Sequence, residues 1–298
     1  MSPTVYSAGG LLLHKTRTTP SDPTPFSAAG ALAECVCGWQ ETAPHRRKAR
    51  AQARIHLDTA SPTLAFHPAA VSDQGPRQHN ADAYAVHVDD TRNRAAWAVA
   101  DGIGDNEHAA EAAAIAANAA VRAAVQTGAV DAVLAAGHEV HDYQIADTVL
   151  VVAAALPPED GGGYDVAWVG DCRAWQWNGT TLTQLTVDHT QGQLYRDCGN
   201  PALAAIADAY DHVVMTTVAT ATVDDIGHTR TTGPHQRLLL ASDGVSKPLP
   251  ASSIARTMRT FGHQLAIASR LVHAARFHNG SDNATALAIN PVFDLDTP

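Results

Sequence analysis

Apolar and polar residues follow two different periods along this chain, and the switches between them predict its elements. Short apolar runs at Ala96–Ala100, Thr148–Leu156, Tyr164–Val169 and Arg237–Ala241 have the length and β-branched content of buried strands. Ala70–Asp73 leads into the Gly75–Tyr84 stretch, Ala85–Val88 is a shorter strand ahead of the others, and Ala284–Asn290 closes the series. From Asn106 to Gln126 the spacing becomes helical in an alanine-rich stretch stopped by Gly128, and Ala129–Tyr143 continues with a second helix. Ser252–Phe261 and Gln264–His278 make another helical pair. Asn178-Gly179 lies between Arg173–Trp177 and Thr181–Leu185, which marks a hairpin whose turn matches the twist of paired strands. Asp188–Asp211 keeps neither period and reads as an excursion from the sheet. Strands in hairpins, then paired helices, then strands again indicate an α+β sandwich rather than a βαβ winding.

The first part of the chain reads differently. Thr16–Pro25 is rich in Thr, Ser and Pro without a period that could bury a face, and is expected to be a flexible connection. Cys35 and Cys37 follow, then a basic, helical-looking segment from Pro44 to Leu57 carrying His45 and His56. These four side chains could hold a tetrahedral Zn2+ in a small lobe with little core; the alternative is two buried thiols and two surface histidines. The expected division is an N-terminal extension over residues 1–65 and a main domain over 66–298.

Composition narrows the partners. A formal net charge of −10 disfavours nucleic acid and anionic membranes, since the single basic run is short, from Arg46 to Arg54. No apolar run reaches the ~18 residues of a membrane span, and no basic segment precedes the short apolar stretch at the start, against a signal peptide. Four cysteines without framework spacing fit a reducing cytoplasm. Aromatics make up 5% of the residues, so packing must rest on Ala, Val and Leu.

The chemistry lies at strand ends. Three apolar runs finish in an aspartate beside a glycine: Asp101-Gly102, Gly170-Asp171 and Ser242-Asp243-Gly244. A lone buried carboxylate loses on the order of several kcal/mol on leaving water, so three such ends need a shared partner. A hard divalent cation, Mg2+ or Mn2+, is the natural one for oxygen ligands.

Taken in order, Arg77–Asp82, Val99–Asp105, Gly170–Arg173, Ser242–Gly244 and Asp282-Asn283 resemble the RxxNED, VxDGxGG, GDSR, SDG and DN patterns of the metal-dependent PPM family, the type 2C serine/threonine protein phosphatases, in its bacterial form. The resemblance implies a four-layer αββα sandwich of two antiparallel sheets flanked by helix pairs, with two Mn2+ or Mg2+ ions at one end. It implies that Asp101 bridges both ions, that Asp243 and Asp282 complete one, and that the Gly102 carbonyl touches the other. Arg77 would grip the substrate phosphate, and Asp82 and Asn283 would fix the ligands. Asp142 lies near where bacterial relatives place a carboxylate for a third ion, or is a solvated aspartate at a helix end. Asp171 and Arg173 are expected to form a buried structural pair, and Cys172 to be an inert thiol.

Two departures matter. The glutamate of NED, a ligand of the second ion, is Ala81 here, which is expected to weaken that ion. The histidine that serves some relatives as general acid is Ile103. The resemblance implies a hydrolase of phosphoserine and phosphothreonine in proteins; with the charge and cysteine usage above, the chain is expected to be cytoplasmic and monomeric, without nucleic-acid or membrane partners. Its rival is a catalytically impaired PPM-like domain that binds phosphoproteins as an adaptor.

Overall fold

The computed structural model of the chain describes residues 66–89, 94–143, 146–157, 162–233, 236–278 and 280–291, with 4–5, 14–21, 30–35, 40–43, 47–49 and 51–52 before them. The chain divides into a unit of Phe66–Pro291 and one formed by the remaining residues. In the latter, β1 (Thr4–Val5), β2 (His14–Ser21), β3 (Gly30–Cys35) and β4 (Gln40–Ala43) pair in chain order as an antiparallel sheet. Strand β2 corrects the expectation of a flexible connection for Thr16–Ser21, the rest of that stretch to Pro25 lying outside the described residues: its β-branched threonines suit a pleated strand, and Thr16 to Ser21 pair with Cys35 to Gly30. Of the expected zinc ligands, Cys35 ends β3, while Cys37, His45 and His56 lie outside the described residues.

The larger unit holds two five-stranded antiparallel sheets. One runs β12-β9-β8-β7-β6, built from β6 (Asp82–Asp89), β7 (Arg94–Gly102), β8 (Thr148–Ala155), β9 (Tyr164–Val169) and β12 (Gly227–Arg230). The other runs β11-β10-β13-β14-β5, built from β5 (Phe66–Asp73), β10 (Arg173–Trp177), β11 (Leu182–Gln184), β13 (Arg237–Ala241) and β14 (Ala284–Pro291). On the first sheet lie α1 (Glu107–Thr127) and α2 (Ala129–Tyr143); on the second lie α6 (Ala251–Thr260) and α7 (Gln264–Phe277). Between β11 and β12 come α3 (Gln191–Asp197) and α4 (Pro201–Ala204), and α5 (Asp243–Ser246) follows β13. The expected α+β four-layer sandwich is the observed fold.

Alternation explains the layering. In β7, Ala98 and Ala100 face the helices and join a core of helix alanines and valines, while Trp97 meets Phe66 of the opposite sheet, ring centroids 4.8 Å apart. Strands β8 and β9 are buried along their whole length because both faces are covered. Helix α1 starts where the Asn106 side chain accepts from the Ala109 N–H and ends at Gly128, φ 98°. Its buried face is almost entirely alanine, which lets the helix axis approach the sheet closely.

Strand β12 and the start of α2 hang on one buried residue of β9. Asp165 accepts from the Ala129 N–H at 3.0 Å and from Arg230 Nε at 2.9 Å, and His228 Nε2 lies 2.8 Å away. Burial raises its pKa, but these partners outweigh burial and leave it below the usual carboxylate range. Its stabilisation is therefore complete above the unfolded value near ~4 and is lost as pH falls through the folded one. Asp165→Ala is expected to cost about 2–4 kcal/mol in urea unfolding at pH 7, with a smaller difference from the unsubstituted protein at pH 3.

Candidate active site

Antiparallel pairing brings distant aspartates to one end of the sandwich. Asp101 closes β7 beside the start of β8, where Gly102 pairs with Thr148. Asp243 follows β13, and Asp282 precedes β14, whose Ala284 pairs with Asp73. Asp171 follows β9. Two glycines make the close packing possible: a Cβ on Gly102 would stand 2.2 Å from the Ala109 carbonyl oxygen, and one on Gly244 only 1.7 Å from that of Asn283. The DG of β7 is thus pressed onto α1, and the SDG turn onto the DN pair.

Loops are stapled around this end. Asp105 accepts from the Gln78 and His79 N–H groups at 3.1 and 2.8 Å, which fixes the arginine-bearing loop to the one after β7. Asn283, buried, accepts from the Ala81 N–H and donates to the Gln74 and His79 carbonyls, so it orients that loop rather than facing an ion directly. Arg77 Nη2 donates to Asp282 Oδ2 at 2.7 Å. The excursion after β11 is anchored by a two-point fork of Arg173 on Asp188, at 2.8 and 2.6 Å, and by Arg196 on Asp208 and Asp211. Its return, pinned by an isolated bridge of Val214 to Thr190, brings His212 and Val214 to a cavity of about 210 Å3, whose lining includes Arg77, Asp101, Gly102, Ile103, Asp171, Asp243 and Asp282.

Electrostatics dominate the cavity. Asp82 and Asp101 stand directly opposite in the β6–β7 ladder, a like-charge pairing that destabilises a sheet. Burial raises the Asp101 pKa well above its usual value, and Asp82, Asp243, Asp171 and Asp282 add to it. Among the described residues nothing donates a hydrogen bond to its carboxylate, while Thr148 Oγ1 holds its backbone carbonyl at 2.7 Å. Burial likewise pushes Asp82 up to about 7, against the Ser242 hydroxyl that donates to it at 2.7 Å. Asp171 is pushed up to about 6 by burial and then by Asp243, and Asp282 is raised by the same two causes. Lys247 Nζ lies 2.7 Å from both Asp171 Oδ2 and Asp243 Oδ2.

This corrects one expectation: Asp171 pairs with Lys247 and Arg173 with Asp188, not Asp171 with Arg173. A residue two positions along an extended turn points elsewhere, and each charge found its partner across the fold. Cys172 is fully buried with its thiol pKa raised by burial, as expected of an inert thiol. Asp142 sits exposed on α2 and lines a different cavity with His138 and His141, so it is not brought to the aspartate end. Ala81 is buried, its methyl absent from the cavity lining. His212 and Lys247 were missed by sequence reasoning, and of these Lys247 had a local signal, four residues after Asp243 on a helical turn; Asp105 lay in a quoted motif but was given no role.

The residues suit a divalent cation by donor chemistry. Asp243 Oδ1 and Asp82 Oδ1 are buried acceptors without a partner, and Asp101 has four carboxylates and no donor around it. Among the described residues no three His, Cys, Asp or Glu side chains converge into a ready chelate, and Arg77 and Lys247 are paired with Asp282 and Asp243.

A scan of family models and a search of curated proteins find no match to this sequence. Solved structures do match. The fold is that of the bacterial PPM-type serine/threonine phosphatases, as the five motifs implied. The chain is similar to the PPM Ser-Thr phosphatase MsPP of Mycobacterium smegmatis, solved with cacodylate, at 26% identity and TM-score 0.62, covering 77% of this chain and 100% of that one. It is similar to the catalytic domain of the phosphatase PstP in complex with two manganese ions, at 25% identity and TM-score 0.59, over 78% and 100%. The phosphatase Stp1 of Staphylococcus aureus shares the fold at 19% identity and TM-score 0.66, over 78% and 97%.

Because the folded pKa values of Asp82 and Asp171 lie above the unfolded value near ~4, their protons stabilise the native state at low pH and that stability is lost as pH rises toward 7. Metal-free protein in EDTA is therefore expected to melt higher at pH 6 than at pH 8. Asp101→Asn, which removes one of the crowded charges, should raise the pH 8 stability by on the order of 1 kcal/mol or more. A variant less stable than the parent in EDTA would contradict the repulsion.

Proposed function

We propose that this chain is a metal-dependent protein phosphatase that hydrolyses phosphoserine and phosphothreonine. One observation carries the reading: Arg77, Asp101, Asp243 and Asp282 line one cavity at the end of a PPM-type sandwich. Asp101, Asp243 and Asp282, with the Gly102 carbonyl, would hold the ions. When bound, divalent ions at such carboxylates supply an activated water and neutralise phosphate oxygens. Arg77 spends one of its five N–H donors on Asp282 and has others for a phosphate, in the planar fork that suits two oxygens. With Ala81 in place of a carboxylate, the ion that relies on Asp101 and Gly102 gains no further anionic ligand from the Arg77–Asp82 motif.

His212 takes the role that Ile103 cannot. Among the described residues it is the one imidazole that lines the cavity, and we assign it proton delivery to the leaving serine or threonine oxygen. Asp211 and Asp208, held by Arg196, position the segment that carries it.

Two measurements test this. With Mn2+, purified protein should release phosphate from p-nitrophenyl phosphate and from a phosphothreonine peptide, and Asp101→Asn or Asp243→Asn should reduce both at least a hundredfold. His212→Gln should slow the phosphothreonine peptide about tenfold to a hundredfold while sparing p-nitrophenyl phosphate, whose leaving group needs no acid. Equal losses on both substrates would remove the proton-donor role. The absence of turnover at millimolar Mn2+, with a phosphopeptide still bound, would favour the adaptor reading, to which Ala81 lends support.

A further inference from the structure

The cavity contains a cation of the protein's own. Lys247 Nζ stands 2.7 Å from a carboxylate oxygen of Asp171 and 2.7 Å from one of Asp243, two groups delivered by different sheets. Asp171 is buried, with 4% of its side chain exposed, and no other cation is bonded to it among the described residues. The chain has three lysines, and Lys247 is the one that lies between Phe66 and Pro291, where every other permanent cation is arginine. A planar guanidinium reads a single carboxylate by a two-point fork; an ammonium is a compact point charge that can bridge two.

Resting on the phosphatase reading above, we propose that Lys247 is a built-in counter-ion. Its ammonium fills the corner between Asp171 and Asp243 that a divalent ion would otherwise bridge, and so limits how many ions the site takes up and how tightly Asp243 binds them. The argument is one of charge and space. Asp243 has one oxygen engaged by Lys247 and the other buried and unpartnered, so an ion must share this carboxylate with a fixed positive charge. Two like charges within ~6 Å repel appreciably even at the effective dielectric of a protein surface. Lys247 is placed by the same turn as its partner, because Asp243 begins the helical turn and Lys247 follows four residues later, its N–H donating to the Asp243 carbonyl.

The test is calorimetric titration of metal-stripped, full-length protein with MnCl2 alone. Lys247→Met should tighten the weakest Mn2+ step at least tenfold, and Lys247→Asp should bind one Mn2+ more per chain than the parent. Asp171→Asn in the Lys247→Asp background should remove that extra ion. Arg122→Met, on exposed α1, controls for net charge and should change nothing. Unchanged stoichiometry and affinity in both Lys247 variants, with parental binding still abolished by Asp101→Asn, would overturn the counter-ion and leave the phosphatase site standing. No Mn2+ uptake by the parent or any variant would remove the metal site and this inference together.

Should both variants fail to fold, acetylation of the parent, read by mass spectrometry, decides instead. Lys247 should react at least tenfold more slowly in the native chain than in the urea-denatured chain, in EDTA. Equal rates would show an unengaged amine and overturn the proposal.

Discussion

Repulsion among carboxylates is the constraint on which this molecule turns. Burial and neighbouring carboxylates, Asp243 among them, raise the pKa values of Asp82, Asp101, Asp171 and Asp282 at a single end of the sandwich, to which different parts of the chain contribute. A flexible chain would relieve such crowding by moving apart. Here the backbone cannot: Asp101 is paired to two neighbouring strands, Gly244 is pressed against Asn283, and Asn283 ties three loop segments together. The fold spends stability to keep negative charges adjacent, which is the usual mark of a site built to receive positive charge.

The unusual composition serves the same end. Alanine rather than leucine on the buried face of α1 shortens the distance between helix and sheet, and that proximity is what leaves room for only a glycine at position 102. The helix start, the Asp-Gly turn and the loop capped by Asp105 are then one rigid assembly, so the site's geometry follows from core packing and not from the site alone. Three of the few aromatics, Phe66, Trp97 and Tyr164, pack against one another, and Trp97 lies in β7 four residues before Asp101.

What could be read from the sequence was local, and what could not was relational. Strands β7 to β10 and helices α1, α2, α6 and α7 announce themselves by period, since each buries a face of its own. Strand β12 does not: Gly227–Arg230 is polar, half exposed, and held in place by its register on β9 and by Asp165. Strand β2 was hidden because threonine and proline suggest a linker when no partner strand is in view. In the site, the Asp-Gly signatures showed where carboxylates would stand, because a glycine beside an aspartate is a one-residue requirement. The partners of Asp171 and Arg173 could not be inferred, since a charged side chain is matched by whatever the fold brings near, here Lys247 and Asp188. His212 was invisible for the same reason: it reaches the cavity only through the hydrogen bonds that return the excursion to the sheet.

Both functional readings then reduce to one balance of charge. Arg77 and Lys247 bring two single positive charges to a cluster of five carboxylates, and each occupies an oxygen that an ion would want. Side-chain cations of this kind keep the empty cluster from flying apart, yet they compete with whatever fills it. An enzyme needs the divalent ion to win that competition at Asp101, which no donor occupies, and tolerates losing it at Asp171. A binding module needs neither. In the arrangement seen here, the Asp101 carboxylate and one oxygen of Asp243 have no hydrogen-bond donor among the described residues, while Lys247 engages Asp171 and the other oxygen of Asp243. On the phosphatase reading, that contrast would leave Asp101 and Asp243 to exchangeable ions and Asp171 to the chain's own cation.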